Sequence, residues 1–242
     1  MASSEKAALV TGGSRGIGLA IARMLADEGY DLTVAARQPE NLEQAREGLN
    51  GNGVEVQTVA ANVASEKDIA DLVSQHESRF GRLDVLVNSA GLGIGSEVER
   101  LETKTVDLQL QVNLRAIALL YRECVPMLRK AAANGDQALV INLSSIAGKS
   151  AQPWTSIYSA TKHAVVGFTN SMNRELGAAG IKSCALCPSF VDTDMTDYMK
   201  EAIPPEEMIR PEDVAEMSRA VLRVSRWCLV PEVMMMRPGE NP

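Results

Sequence analysis

Tyr158 and Lys162 are the two side chains whose types and spacing point most directly to acid–base chemistry. They are four residues apart in a segment predicted to be helical, residues 156–178, so they share one face of that helix. A phenol has an ordinary pKa of about 10, too high for efficient proton transfer near neutral pH, and a neighbouring ammonium group stabilises the phenolate. The pair therefore predicts a tyrosine that exchanges a proton with a substrate oxygen.

A glycine-rich turn near the start of the chain indicates a nucleotide. Glycines follow the first predicted strand and lead into a helix predicted to begin near Ile17. Without side chains the backbone turns tightly and approaches a pyrophosphate, whose charge is stabilised by N–H groups at the helix N-terminus. The predicted contacts in this turn are Gly12, Ser14, Arg15, Gly16, Ile17 and Gly18.

The residues after the second predicted strand favour NADP(H) over NAD(H). An acid for the ribose 2′-hydroxyl of NAD is expected about 20 residues beyond the glycines, but the strand ends Ala35, Ala36, Arg37. The missing carboxylate removes repulsion of a 2′-phosphate. The guanidinium groups of Arg37 and Arg15 are suited to bind that phosphate.

Elements that position these residues alternate along the chain. Short runs rich in Val, Leu and Ile predict strands at 6–12, 30–36, 54–60, 83–89, 137–143, 181–187 and 228–236. Helices are predicted at 17–28, 40–49, 66–80, 106–133, 156–178 and 211–224. This alternation predicts an α/β fold: a doubly wound Rossmann domain with a parallel seven-stranded sheet and helices on both faces.

The chain is expected to form one domain over residues 1–242, since no repeat or linker divides it. The long irregular segment 192–210 follows the sixth strand and contains two consecutive prolines. Loops in this place of open α/β sheets usually contact substrate, so we expect a substrate loop here.

Together these motifs resemble the classical short-chain dehydrogenase/reductase family over nearly the whole chain. Thr11, Gly12, Gly16 and Gly18 match its glycine motif. Residues 88–91, Asn-Ser-Ala-Gly, match its Asn-Asn-Ala-Gly motif with Ser89 in place of the second Asn. The most specific match is the catalytic set, in which Ser145 rather than Ser144 has the family spacing of 13 residues before the tyrosine. That set is Asn113, Ser145, Tyr158 and Lys162.

The resemblance implies a role for each catalytic residue. Tyr158 donates a proton to a carbonyl oxygen as hydride arrives from the nicotinamide, while Ser145 hydrogen-bonds and orients that oxygen. Lys162 also holds the nicotinamide ribose. Asn113 organises a water that links Lys162 to solvent.

Further cofactor contacts are implied by the resemblance. Asn62 and Val63 stand where the family has an Asp-Val pair against adenine, and Ser189 replaces the usual glycine after Pro188. The remaining contacts lie beside the adenosine ribose and the nicotinamide carboxamide. The implied set is Asn62, Val63, Asn88, Ala90, Gly91, Tyr158, Lys162, Pro188, Val191 and Thr193.

Composition excludes several classes of function. The net charge of −7 and the lack of a Lys/Arg-rich run disfavour nucleic acid as a partner. Apolar runs are far shorter than the ~18 residues that span a bilayer, so no membrane segment is expected. Met1–Lys6 carry no apolar stretch behind a basic patch, which predicts a cytoplasmic protein.

The remaining reactive residue types are interpreted as structural. Cys184 and Cys187 form a CxxC in an apolar run without a second CxxC or a nearby His, which favours core filling over a metal or redox site. No metal site is expected. His76 and His163 have no nucleophile at a recognisable spacing, so hydrolase chemistry has no support.

The leading hypothesis is an NADPH-dependent oxidoreductase that transfers hydride between nicotinamide and a carbonyl or secondary alcohol. One alternative is a 3-oxoacyl carrier-protein reductase, in which Arg129, Lys130 and Arg174 would dock an acidic carrier; a solvated helix face explains these residues equally well. Another is a non-catalytic NADP-binding sensor or scaffold, against which the complete catalytic set argues.

Two further expectations concern the substrate and the assembly. An apolar or aromatic carbonyl compound is indicated by residues flanking the expected pocket: Trp154, Phe190, Met195, Tyr198 and Met199. A homo-oligomer, tetramer or dimer, is expected because helices 106–133 and 156–178 carry more apolar residues than one sheet face needs. Met234, Met235 and Met236 are interpreted as strand and interface packing.

Overall fold

The structure, a computed structural model, describes residues 6–49, 53–133 and 136–240. Within these residues seven strands form one sheet; the five inner strands are buried on both faces, as parallel strands require, and the two edge strands are half-buried. The strands are β1 (Ala7–Thr11), β2 (Asp31–Ala36), β3 (Val56–Ala60), β4 (Val85–Asn88), β5 (Ala138–Leu143), β6 (Ile181–Pro188) and β7 (Glu232–Met235). Their order is β3-β2-β1-β4-β5-β6-β7, and every pair is parallel. The predicted doubly wound sheet is confirmed.

Helices connect the strands. They are α1 (Gly16–Asp27), α2 (Pro39–Leu49), α3 (Glu66–Phe80), α4 (Thr103–Leu110), α5 (Ala116–Ala131), α6 (Ser156–Leu176) and α7 (Pro211–Arg223). Local sequence explains several boundaries. The Ser65 hydroxyl accepts from the Asp68 N–H at the start of α3, and Gly81 ends α3 in a left-handed conformation with φ of 69°.

The prediction of one regular helix over residues 106–133 is wrong. The segment expected to be helical over 106–133 begins earlier, at Thr103, and consists of α4, a π-helical turn over Gln111–Arg115, and α5. A π turn is a rare, single-turn feature within a longer helix, and the apolar residues of this segment predicted one regular helix instead. Asn113 lies in this turn.

The apolar core lies in two layers, one on each face of the sheet. Cys184 packs in one layer with residues such as Val10 and Leu186, whereas Cys187 packs with Val166 on the other face. Side chains three apart on a strand point to opposite faces, so this CxxC cannot close a disulfide or share a metal ion. All four cysteines, which lie within the described ranges, are free thiols.

The register of the central strands places the ends of several predicted motifs side by side. Thr11 on β1 pairs with Asn88 on β4, and Asn88 pairs with Asn142 on β5. The glycine turn, the 88–91 motif and Ser145 therefore follow neighbouring strands at the same edge of the sheet. We call this the carboxyl edge.

The sequence predicted a cytoplasmic location and no membrane segment. Residues 1–5, most of the segment on which the expected cytoplasmic location rests, lie outside the described ranges. Among the helices that are described, none is both long enough and apolar enough to cross a membrane.

His76 is a buried polar group that the polar sequence of α3 did not indicate. Its side chain is fully buried, with Nδ1 2.8 Å from Thr33 Oγ1 on β2 and Nε2 2.9 Å from the Arg82 carbonyl oxygen. Burial lowers the pKa of His76 to about 4 from an ordinary 6.5. The imidazole is therefore neutral in the folded protein at neutral pH.

This shift predicts a pH-dependent loss of stability. Between pH 6.5 and about 4 the unfolded chain binds a proton at His76 that the folded chain does not, so stability falls as the pH falls through that window. Between pH 7 and 5 the wild type should lose about 2 kcal/mol more than a His76→Gln variant. Urea unfolding of both proteins at the two pH values measures the difference, and parallel losses would contradict the assignment.

Candidate active site

Tyr158 and Ser145 meet at the carboxyl edge. Tyr158 lies in the first turn of α6, and Ser145 precedes a short 3₁₀ helix, Ile146–Gly148, that follows β5. The Ser145 hydroxyl accepts from the Ala147 N–H at 3.1 Å and lies close enough to the Tyr158 hydroxyl to act on the pKa of that phenol. Ser144 is directed elsewhere, since its Oγ donates to the Lys162 carbonyl at 2.8 Å. Two hydroxyl groups therefore lie together where a carbonyl oxygen could accept from both.

Lys162 is held by the segment Leu143–Gly148. The side chain is 5% exposed, and its Nζ donates to the Leu143 carbonyl oxygen at 2.7 Å. Gly148 is required beside it, since a Cβ there would lie 2.7 Å from the Lys162 carbonyl oxygen. Burial lowers the pKa of Lys162 from 10.5 to about 8. The ammonium form is thus poised to lose its proton slightly above neutral pH.

The expected effect of Lys162 on Tyr158 is absent from this structure. The Lys162 Nζ lies 5.6 Å from the centroid of the Tyr158 ring, and its hydrogen bond goes to Leu143 rather than to the phenol. Burial raises the pKa of Tyr158, and the nearby Ser145 hydroxyl only partly offsets this rise. The prediction of a phenol acidified by the neighbouring ammonium is therefore wrong for this arrangement of the side chains.

Asn113 pins the loop that follows β4. Its Oδ1 accepts from the Leu92 N–H at 2.9 Å, and its Nδ2 donates to the Leu92 carbonyl at 2.8 Å and to Thr161 Oγ1 at 3.1 Å. Gln109, one helical turn earlier, makes the same pair of bonds to the Ile94 backbone. The π turn thus fixes the loop against α6 and engages every polar atom of the Asn113 side chain.

The glycine turn has the shape of a phosphate cradle. Gly12 and Gly16 have φ of 66° and 53°, a region that favours glycine. A Cβ on Gly12 would lie 2.7 Å from the Ala90 N atom, and one on Gly18 would lie 2.3 Å from the Gly12 carbonyl oxygen. The backbone N–H groups at the start of α1 are left accessible, which fits a dinucleotide pyrophosphate.

The two arginines expected to bind a 2′-phosphate lie in different surroundings. Arg37 is exposed just beyond β2. Arg15, at the N-cap of α1, forms an ion pair with Asp194, with Nη1 2.5 Å from Oδ2. Asn62 is also exposed, and its Oδ1 accepts from the Ala64 N–H, whereas Val63 is buried.

The other predicted cofactor contacts surround the cradle. Asn88 is buried and donates to Asn142 Oδ1 at 2.7 Å, and its own Oδ1 has no protein partner. Ala90 and Gly91 follow it, within reach of Gly12 and Lys162 respectively. Pro188 ends β6, while Val191 is buried in the core; Thr193 lies against Gly16.

The expected substrate-binding residues are mostly exposed. Trp154 (68%), Tyr198 (74%) and Met195 (49%) are exposed, whereas Phe190 and Met199 are half-buried. Phe190 is directed toward Arg237 near the C-terminus, with the guanidinium 5.9 Å from its ring centroid. A cavity of about 390 Å³ lies beside Trp154 and includes Glu97, Val98 and Glu99 in its lining.

Several residues that build the site were not identified from the sequence. Thr161 links Asn113 to the Tyr158 backbone, to whose carbonyl it donates at 2.7 Å. Gly148 and Gln109 act through close packing and loop contacts. Asp194 is 179 residues from its partner Arg15. Only the position of Asp194 in the expected substrate loop gave a signal.

The lowered pKa of Lys162 predicts a pH-dependent affinity for NADPH, the expected cofactor. Below pH 8 the ammonium is already formed; above it, binding next to the anionic cofactor must take up a proton. The NADPH dissociation constant should rise by up to tenfold per pH unit between pH 8 and 10. Fluorescence titrations measure it, and a Lys162→Met variant should show a weaker dependence. An equally steep rise in that variant would contradict the assignment to Lys162.

Comparisons with known proteins agree with this geometry. A family model described as short chain dehydrogenase matches residues 6–204. The 3-oxoacyl-[acyl-carrier-protein] reductase FabG of Staphylococcus aureus is 38% identical over 200 residues, covering 82% of this chain and 79% of that protein.

Solved structures superpose over almost the whole chain. An alcohol dehydrogenase from the archaeon Thermococcus sibiricus, complexed with 5-hydroxy-NADP, matches with a TM-score of 0.87 and 29% identity over 98% of both chains. An actinorhodin polyketide ketoreductase with NADPH matches with a TM-score of 0.88 and 30% identity, covering 98% of this chain and 97% of that one. The chain belongs to the short-chain dehydrogenase family.

Proposed function

We propose that this protein is an NADPH-dependent oxidoreductase that interconverts a carbonyl compound and a secondary alcohol. The observation that carries the proposal is the meeting of Tyr158, Ser145 and Lys162 at the carboxyl edge, next to a glycine turn shaped for a dinucleotide. The family of the chain and the reductases among its relatives support the same reaction.

The side chains divide the work of carbonyl reduction. NADPH supplies the hydride when bound. The Ser145 hydroxyl donates to the substrate oxygen and orients it, and the Tyr158 hydroxyl gives that oxygen a proton as charge develops on it. Lys162 would hold the nicotinamide ribose when the cofactor is bound. Asn113 keeps the loop after β4 in place through its side-chain bonds to Leu92, and the role of organising a relay water is proposed for the same residue.

The preference for NADP(H) rests on charge. Arg37 and Arg15 flank the glycine turn, and Ala36 stands where a carboxylate would repel a 2′-phosphate. Solved relatives hold NADP or NADPH, although the related 3-ketoacyl-(acyl-carrier-protein) reductase of Brucella melitensis was solved with NADH. The cradle contacts assigned to residues 12–18, 62–63, 88–91 and 188–193 belong to this proposal.

Reduction of a 3-oxoacyl group on a carrier protein is a second candidate, favoured by the identity to FabG. The basic residues suggested for docking, Arg129, Lys130 and Arg174, lie near the C-terminal ends of α5 and α6. Arg174 is 16 residues beyond Tyr158, about 24 Å along the helix axis. An acyl group on a carrier bound there would therefore have to reach about 24 Å along α6 to the active site of its own chain.

A homo-oligomer in the cytoplasm completes the proposal. Exposed apolar side chains lie on α4, at Leu108 and Leu110, and near β7, at Trp227, Leu229 and Met234. Met235 packs against the core, in line with the strand packing expected of the methionine run, and the exposed Met234 is available for the proposed interface. The alternative of a non-catalytic NADP-binding protein keeps the same fold but leaves the meeting of Tyr158 with Ser145 unexplained.

Removing the Tyr158 hydroxyl tests the reaction. A Tyr158→Phe variant keeps the ring and its packing, so fold and NADPH binding should be nearly unchanged while turnover falls ~10²–10⁴-fold. Steady-state NADPH oxidation at 340 nm across a panel of carbonyl compounds, including an acyl thioester, supplies the rates. Tyr30→Phe, at the opposite edge of the sheet, is the matched control. If Tyr158→Phe retained most of its turnover, a group other than Tyr158 would donate the proton to the substrate oxygen.

Removing Arg37 tests the cofactor preference. A charge-assisted bond to phosphate contributes about 1.5–3 kcal/mol, so Arg37→Ala should weaken NADPH binding tenfold or more and leave NADH binding unchanged. Arg46→Ala, an exposed arginine on α2 paired with Glu43, is the control and should change neither. Equal losses for both cofactors in Arg37→Ala would argue against a phosphate contact.

A further inference from the structure

The ion pair between Arg15 and Asp194 joins the glycine turn to the expected substrate loop. Arg15 precedes the first residue of α1, and Asp194 begins a 3₁₀ helix, Asp194–Met199, that follows β6. The neighbouring residues are also in contact range, since a Cβ on Gly16 would lie 3.1 Å from Thr193 Cγ2. Both charged side chains are 65% exposed, so either can turn toward a new partner.

The strand order gives this pair a direction. Arg15 follows β1, which has β2 as its neighbour on one side and β4, β5 and β6 on the other. Asp194 therefore holds the guanidinium on the side of β1 that faces β6. The axis of β6 lies three strands, or about 14 Å, from that of β1. Arg37, the other expected phosphate ligand, follows β2 on the opposite side of β1. One guanidinium cannot serve anions on both sides at once.

Asp194 sits in a segment that is braced independently of Arg15. Lys200 Nζ lies 3.0 Å from Asp192 Oδ1 and 2.8 Å from Asp197 Oδ1. Thr196 Oγ1 donates to the Val191 carbonyl at 2.6 Å, and Val191 pairs with Ile209 across the base of the loop. These contacts hold the backbone of the segment that places the Asp194 carboxylate next to the glycine turn.

We propose that Asp194 competes with the 2′-phosphate of NADP(H) for Arg15 and so sets how strongly the protein prefers NADP(H) over NAD(H). The inference rests on the proposed NADP(H) preference. In the cofactor-free protein Arg15 is held by Asp194; binding of NADP(H) exchanges this partner for the phosphate. NAD(H), which lacks the phosphate, leaves the pair intact.

The size of the effect follows from the exposure of the pair. Exposed ion pairs contribute little, so release of Arg15 from Asp194 corresponds to a two- to fivefold change in dissociation constant. Asp194→Asn keeps the shape and hydrogen-bonding capacity of the side chain and removes its charge. It should lower the NADPH dissociation constant two- to fivefold and leave that of NADH unchanged.

The experiment is a double-mutant cycle on the full chain, with dissociation constants for NADPH and NADH from fluorescence titration. Asp197→Asn is the matched control, because it removes an equal charge from the same 3₁₀ helix but pairs with Lys200 instead of Arg15. It should change neither constant. The gain from Asp194→Asn should vanish in an Arg15→Gln background.

Three outcomes would overturn the inference: no gain in Asp194→Asn, an equal gain for both cofactors, or a gain that persists without Arg15. The underlying proposal fails in a different way. If Arg15→Gln leaves NADPH binding unchanged and the wild type binds both cofactors equally, the NADP(H) preference itself is wrong. If Arg15→Gln weakens NADPH binding while Asp194→Asn has no effect, only the competition is wrong.

Discussion

The contact between Lys162 and the segment Leu143–Gly148 is the constraint on which the active site depends. The backbone carbonyl of Lys162 accepts from Ser144, its Nζ donates to Leu143, and Gly148 gives it room. An ammonium group buried without a carboxylate partner is costly, and a strand-end carbonyl is the partner this structure provides. The same contacts dock α6 on the end of β5 and bring Tyr158 to Ser145.

Other parts of the carboxyl edge are fixed to different degrees. The cofactor side is tightly packed, because Gly12 and Gly18 leave no room for a Cβ and the loop after β4 is held by paired bonds from Asn113 and Gln109. The substrate side is open, with exposed Trp154 and Tyr198. A tightly packed cradle beside an open rim suits an enzyme in which cofactor geometry is constant and substrate contacts vary among relatives.

Much of this architecture is predictable from local sequence. Each strand is a short apolar run, and Tyr158, Lys162 and the glycine turn have spacings that carry their own geometric meaning. Features created by tertiary contact are not predictable in this way. The π turn at Gln111–Arg115 interrupts a segment that the sequence predicts as one regular helix, and the buried His76 is bonded to Thr33, 43 residues away. The Lys162 Nζ donates to the Leu143 carbonyl at the end of β5 and not to the nearby phenol of Tyr158.

Isotopic labelling can follow the proposed hydride transfer at the Tyr158, Ser145 and Lys162 site. The protein would be incubated with NADPH carrying deuterium at the transferred position of the nicotinamide and with a ketone that it accepts, and the alcohol analysed by mass spectrometry. We expect one deuterium on the carbinol carbon of the product. An alcohol without deuterium at that carbon, or no alcohol from any carbonyl compound tested, would contradict the proposed hydride transfer.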